Sequence, residues 1–132
     1  MSKLLERLMD PARSGVYRTT RADEILDALA GSSLAVARVD LRQPVFDAFA
    51  QALAFPAWFG HNWDALEDCL TDLSWREAPG HVLILEGGDA SGMLLDVLGS
   101  AAEFWQAQGK PFFAVFLDPH KRHKLKALFR EA

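Results

Sequence analysis

The chain has one cysteine, Cys69, so no disulfide can form within it. A single thiol also cannot build a cysteine-cage zinc site. Long apolar runs are missing as well. Val82–Leu85 and Phe112–Leu117 are strand-sized, far below the roughly 20 residues that span a bilayer. Residues 1–7 mix acid and base and lack the apolar core of a signal peptide. Together these absences lead us to expect a cytoplasmic protein that does not meet a membrane. Positive charge is scarce in the middle of the chain. Between Asp40 and Glu103 eleven acids face two bases, Arg42 and Arg76, a local balance of −9, whereas the flanks hold seven acids and twelve bases. The whole chain carries −4. An acidic middle argues against direct nucleic-acid binding, which needs a positive footprint, and suits a basic protein partner. The plainer reading is a solvated acidic surface.

What is present is a chain of 132 residues, half of them apolar, enough for one hydrophobic core. Short β-type runs alternate with helical patterns. Gly15–Thr19 reads as a short strand, and Thr20 as the N-cap of a helix over Arg21–Ala30 that stops at Gly31. Leu34–Asp40 reads as a strand. Pro44 occupies a first helical position, and Val45, Phe46, Phe49 and Leu53 recur at helical spacing up to Phe55-Pro56. A second helix is expected from Asn62 to Leu73, a buried strand at His81–Glu86, a long helix over Ser91–Gln108, and a strand covered on both faces at Phe112–Leu117. The tail from His120 is expected as a basic segment or amphipathic helix with Leu125, Leu128 and Phe129 on one side. Strands separated by helices imply right-handed crossovers. The expected class is α/β, a small parallel sheet of three or four strands surrounded by helices. Residues 1–33 read as an N-terminal extension, 34–118 as the main domain, and 119–132 as a basic tail.

One segment carries most of the information: Phe55–Trp75, Phe-Pro-Ala-Trp-Phe-Gly-His-Asn-Trp-Asp-Ala-Leu-Glu-Asp-Cys-Leu-Thr-Asp-Leu-Ser-Trp. At 100° per residue, Trp63, Leu66, Cys69, Leu70 and Leu73 fall on one side. Asp64, Glu67, Asp68, Thr71 and Asp72 fall on the other. Asp64 and Asp68 are four apart, as are Asp68 and Asp72, and like charges at that spacing repel by a few tenths of a kcal/mol per pair. No lysine or arginine lies within the helix to relieve them. Such a helix suits positive charges supplied by a partner, although a surface helix can be acidic without one. Trp58 and Phe59 flank a turn at Gly60, and aromatics beside a charged patch are typical interface anchors. One of them, Phe59, is the candidate to close the core instead.

The pattern Phe-Pro-x-Trp-Phe-Gly-x-Asn-x-Asp-Ala-Leu-x-Asp-Cys-Leu-Thr resembles the central motif of the barstar family, intracellular inhibitors of a secreted bacterial ribonuclease. The motif covers about 17 residues, and the strand–helix order extends the likeness from about Leu34 to Leu117. The resemblance implies an inhibitory face made of the loop and the second helix, with Trp58, Asn62, Asp64 and Asp68 turned to the enzyme and Thr71 one turn on. It implies that Asp68 stands in for an RNA phosphate among the cationic groups that bind substrate. The family pattern has a tryptophan at the place of Glu67, a glycine at the place of Asp72, and an interface glutamate near Phe104, where Glu103 is adjacent. Glu67 and Asp72 enlarge the acidic face, and Trp75 is the candidate replacement for the lost aromatic edge. The partner so implied is a basic protein, a secreted or toxin-type ribonuclease, and the alternative is an interaction module for another basic protein.

Other constellations are weaker. His61 lies beside Asp64 in sequence, and His120 and His123 are three apart with only Asp118 as a nearby carboxylate. No Gly-x-Ser-x-Gly occurs, and Cys69 falls on the core side of its helix. Gly87-Gly88-Asp89-Ala90-Ser91-Gly92 lies between a strand and a helix but lacks the lysine of a P-loop and the spacing of a dinucleotide fingerprint. The expectation is therefore no enzyme, no metal and no cofactor.

Overall fold

A computed structural model describes residues 3–88, 90, 92–120 and 124–129. Helix α1 (Lys3–Leu8) and a 3₁₀ turn at Pro11–Arg13 lead into strand β1 (Gly15–Thr19) and helix α2 (Ala22–Leu29). Strand β2 (Ala35–Asp40) is followed by helices α3 (Val45–Leu53) and α4 (Trp63–Leu70) and a 3₁₀ turn at Ser74–Arg76. Strand β3 (His81–Glu86), helix α5 (Gly92–Ala107), strand β4 (Phe112–Leu117) and the two-residue strand β5 (Lys126–Ala127) complete the order.

All strand pairs are parallel, in the order β2-β3-β4-β1-β5. The continuous apolar runs of β3 and β4 follow from their central position, because alternate residues enter opposite cores. Ala37, Val39, Leu83, Leu85, Phe112, Ala114 and Phe116 point to one side, where they meet α3, α4 and α5. Val82, Ile84, Phe113 and Val115 point to the other, against α1, α2 and Leu128. In register, Val39, Leu85 and Phe116 form one apolar row across β2, β3 and β4.

The sheet has five strands where three or four are expected. The fifth comes from the tail. Tyr17 and Arg18 of β1 pair with Lys126 and Ala127, and the Leu128 amide donates to the Arg18 carbonyl at 2.8 Å. The amphipathic helix expected there is absent among the described residues 124–129. Strand alternation instead sends Leu125 to the α5 side and buries Leu128 with Phe129 beside it on the α2 side, so one apolar set serves two cores. Thr20 does not cap α2. That place is taken by Arg21, which makes no side-chain cap and pairs with Asp23 at 2.7 Å.

Helix α4 packs on α5 and buries Leu66, Cys69 and Leu70 completely. It ends at Leu70, three residues earlier than its periodicity predicts. Leu73 keeps its buried place, but in a left-handed conformation at φ 51° that turns the chain away. Both helix ends near this region are closed by indoles. Trp105 Nε1 donates to the Leu70 carbonyl at 2.8 Å, and Trp75 Nε1 to the Leu53 carbonyl at 2.9 Å. Each satisfies a last-turn carbonyl that has no partner within its own helix.

Candidate functional site: an acidic helix face and its loop

The loop into α4 is shaped by a few local bonds. The Phe59 amide donates to the Pro56 carbonyl at 3.0 Å, closing a turn. Asn62 is the N-cap: its Oδ1 accepts from the Ala65 amide at 2.7 Å, and its Nδ2 donates to the Gly60 carbonyl at 3.3 Å. Asparagine is a preferred N-cap because it satisfies one of the open amides of the first turn. The Asn62 side chain thus has a structural duty, whatever else it meets.

Trp58 and Phe59 part ways. Trp58 is 65% exposed, whereas Phe59 is 5% exposed and packs with Phe46 and Phe55 in the core. Phe59 is therefore removed from the expected contact surface. The turn closed by the Phe59 amide turns Phe59 toward Phe46 and Phe55 and leaves Trp58 outside. Trp75 is also not a free aromatic edge. It is half-buried, bound through Nε1, and set edge-on to Phe55 at 5.9 Å.

The acidic residues stand as the helical spacing places them. Asp64 and Asp68 are exposed on α4, and Glu67 is half-buried beside them. Thr71 is the C-cap residue, its hydroxyl donating to the Glu67 carbonyl at 2.9 Å. Asp72 is exposed but lies just beyond the helix, so the expected Asp68–Asp72 pairing one turn apart is not one of regular helix. Among the described residues no lysine, arginine or histidine makes an ion pair with Asp64, Glu67, Asp68 or Asp72. Arg42 pairs with Asp40 at 2.8 Å and Arg38 with Glu86 at 2.5 Å. Burial raises the Cys69 thiol above its ordinary pKa, and the fields of Asp72 and Asp68 push it the same way. A buried thiol so disfavoured as thiolate is a poor nucleophile.

An exposed aromatic lies one ring away from the indole that closes the far end of α4. Phe104 is 39% exposed and lies edge-on to Trp105, which holds the Leu70 carbonyl. Glu103 beside it is exposed too. The sequence offered no sign of the two indole locks, because their partners are 35 and 22 positions away.

His61 does not pair with Asp64. Its Nε2 is 3.3 Å from Oδ1 of Asp47 on α3. His123 lies outside the described residues, as do Asp89 and Ser91. Among the described residues no group of three or more His, Cys, Asp or Glu side chains could hold a metal ion. The Gly87-Gly88 turn has a packing cause. A Cβ on Gly87 would come within 2.6 Å of Arg42 Cγ, and one on Gly88 within 2.5 Å of Leu41 Cβ. Glycine there lets the loop after β3 lie against the loop after β2.

Comparison with known proteins adds a family. A family model described as "Barstar (barnase inhibitor)" matches residues 32–117, which include β2, β3, β4, α3, α4 and α5. No curated protein and no solved structure matched the chain. The acidic helix, its capped loop and three of the five sheet strands lie inside that stretch, and the chain belongs to the barstar family.

Proposed function

We propose that the protein inhibits a ribonuclease by laying α4 and the Trp58 loop into the enzyme's substrate cleft. The observation that carries this reading is the acidic face itself: Asp64, Glu67, Asp68 and Asp72, with no cation of their own chain paired to them among the described residues, beside an exposed tryptophan. A ribonuclease must hold a polyanion, so its cleft is positive. Carboxylates on a rigid helix offer negative charge with no bond to cleave. Their mutual repulsion in the free inhibitor is relieved when cations arrive, and the long-range field speeds the encounter. The inhibitor performs no chemistry. It acts in the cytoplasm, where its lone buried thiol stays reduced.

Asp68 is the central contact, flanked by Asp64 and Thr71, with Trp58 as the apolar anchor. Glu67, Asp72 and Phe104 set the choice of enzyme. They make this surface more acidic at one edge and more apolar at the other than the family pattern, which favours a partner other than barnase itself. A stoichiometric RNA-cleavage assay against a panel of bacterial ribonucleases, barnase included, tests the proposal. At least one enzyme should be slowed. Asp68→Ala should weaken that inhibition by about 2–5 kcal/mol, the span for truncating one partner of a desolvated charge pair, which itself rests on complexes of this family. Asp96→Ala on α5 should leave inhibition unchanged. If no ribonuclease is slowed, the module binds some other basic protein. If both variants lose binding equally, the wrong surface has been assigned.

A further inference from the structure

Two buried nitrogens at the amino end of β3 have no hydrogen-bond partner: Nδ1 of His81 and Nε of Arg76. Buried polar groups are almost always bonded, so two orphans in one neighbourhood call for an occupant. The neighbourhood is shared. His81 is the first residue of β3 and pairs in register with Ala35. Arg76 Nη2 reaches the carbonyl of Val36, the next residue of β2, at 3.5 Å. Lys110 comes in from β4. The His81 amide donates to the carbonyl of its neighbour Pro111 at 2.9 Å. Lys110 Nζ stands 5.6 Å over the Trp105 ring, which is 5.7 Å from the imidazole.

The three groups are alike in chemistry. Arg76 Nε–H and the Lys110 ammonium can only donate, and Nδ1 donates when it carries the ring proton. Among the described residues neither Arg76 nor Lys110 makes an ion pair. Both charges are felt at His81, whose pKa burial pushes down to about 4 with these two cations acting the same way. The fold thus gathers positive potential around a buried ring. We propose that Arg76, His81 and Lys110 form a binding site for a phosphate-type oxyanion, with the His81 imidazole as its floor and the half-buried Arg76 and Lys110 as its rim. Arg76 Nη2 is turned to Val36, so Nε–H is the edge offered to the anion. Two permanent positive charges match the nearly two negative charges of phosphate at neutral pH. One oxygen reaching the floor gives both orphan nitrogens an acceptor, and the remaining oxygens stay with Lys110 and solvent. A bridging water is the competing occupant. It would satisfy the nitrogens without answering the charge. The site needs no partner protein and stands whether or not α4 meets a ribonuclease.

Inorganic phosphate is the probe, titrated into the full chain at neutral pH and constant ionic strength. Nuclear magnetic resonance follows the ring nitrogens of His81 and the Nε–H of Arg76. Both should shift together and saturate with one dissociation constant of about 1 mM or tighter. The Nε–H of Arg42, bonded to Asp40, should stay where it is. His81→Phe keeps a ring against Trp105 and removes the floor, and it should weaken phosphate about tenfold or more. Lys110→Met keeps an apolar stem over the indole and removes the rim charge, for a loss of about two- to fivefold. The rim variant keeps the test open should the floor variant fail to fold. Adenosine monophosphate separates two sources of the same chemistry. Tighter binding than inorganic phosphate assigns the site to a phosphorylated metabolite, equal or weaker binding assigns it to the free ion, and either keeps the site. No saturable shift leaves the nitrogens to water and overturns the proposal. A response that Arg42 shares, or an affinity that either substitution leaves unchanged, overturns it as well.

Discussion

His81 opens β3 at 2% exposure, and its Nδ1 is buried with no hydrogen-bond partner. Burial pushes its pKa down from 6.5 to about 4, and the positive charges of Arg76 and Lys110 push it the same way. A group whose folded-state pKa lies below its unfolded value binds more protons when unfolded. Stability must then fall as the pH drops from the unfolded pKa toward the folded one. The window here runs from about pH 6.5 to pH 4. Integrating the two titrations, His81 alone should cost about 2–3 kcal/mol between pH 7.5 and pH 4.5. The comparison that isolates it is His81→Phe, a ring of similar size that can face Trp105 at the 5.7 Å separation the imidazole now holds. This variant removes an unsatisfied buried nitrogen, so its stability at pH 7.5 should equal or exceed that of the native chain. Urea unfolding followed by tryptophan fluorescence at several pH values gives both curves. Carboxylates shared by both proteins cancel in the difference. The native chain should lose about 2–3 kcal/mol more than His81→Phe by pH 4.5. Parallel curves would refute the assignment of a buried, neutral histidine at this place.

The two loop aromatics should separate cleanly. Phe59→Ala should destabilise the fold by about 3–5 kcal/mol in denaturant, whereas Trp58→Ala should stay within about 0.5 kcal/mol and instead lose at least about 2 kcal/mol of partner binding by titration calorimetry. Trp105→Phe leaves the Leu70 carbonyl without its donor and should cost about 1–3 kcal/mol in the same unfolding assay. Asp68→Asn should raise the stability of the free protein by a few tenths of a kcal/mol while weakening partner binding. Raising ionic strength should slow association more than it speeds dissociation in stopped-flow records.

Much of the fold could be read in advance where one strand is sandwiched between two cores. His81–Glu86 and Phe112–Leu117 have the same bounds in the sequence pattern and in the structure, because an unbroken apolar run has few other uses. Gly15–Thr19 likewise kept its bounds. Lys126–Ala127 was not legible, since two residues carry no periodicity and their strand exists only by pairing to β1. On the site, the acidic stripe of α4 was legible because side-chain direction repeats every 3.6 residues. Of the two loop aromatics, Phe59 was the candidate to close the core and it does so, although it also stood among the expected contacts because a loop has no period to settle direction. Helix length was overestimated for a related reason. The pattern of apolar residues runs through Leu73, but Leu73 reaches the core from a left-handed turn rather than from another helical step. The locks from Trp105, Trp75 and His61 join positions distant in sequence, and no local signal marks them.

The order β2-β3-β4-β1-β5 places the first strand between the last two. One face of the matched family stretch therefore leans on residues that precede and follow it: Phe113 and Val115 share a core with Leu8, Ile25 and Leu128. A fragment trimmed to residues 32–117 would keep every acidic side chain of the α4 face yet bare an unpaired β4 edge and a greasy underside, an invitation to stick edge to edge. In synthesis the same wiring delays closure of the sheet until Lys126 and Ala127 have emerged, so the acidic face of α4 rides on a scaffold that is finished well after the face itself has been made.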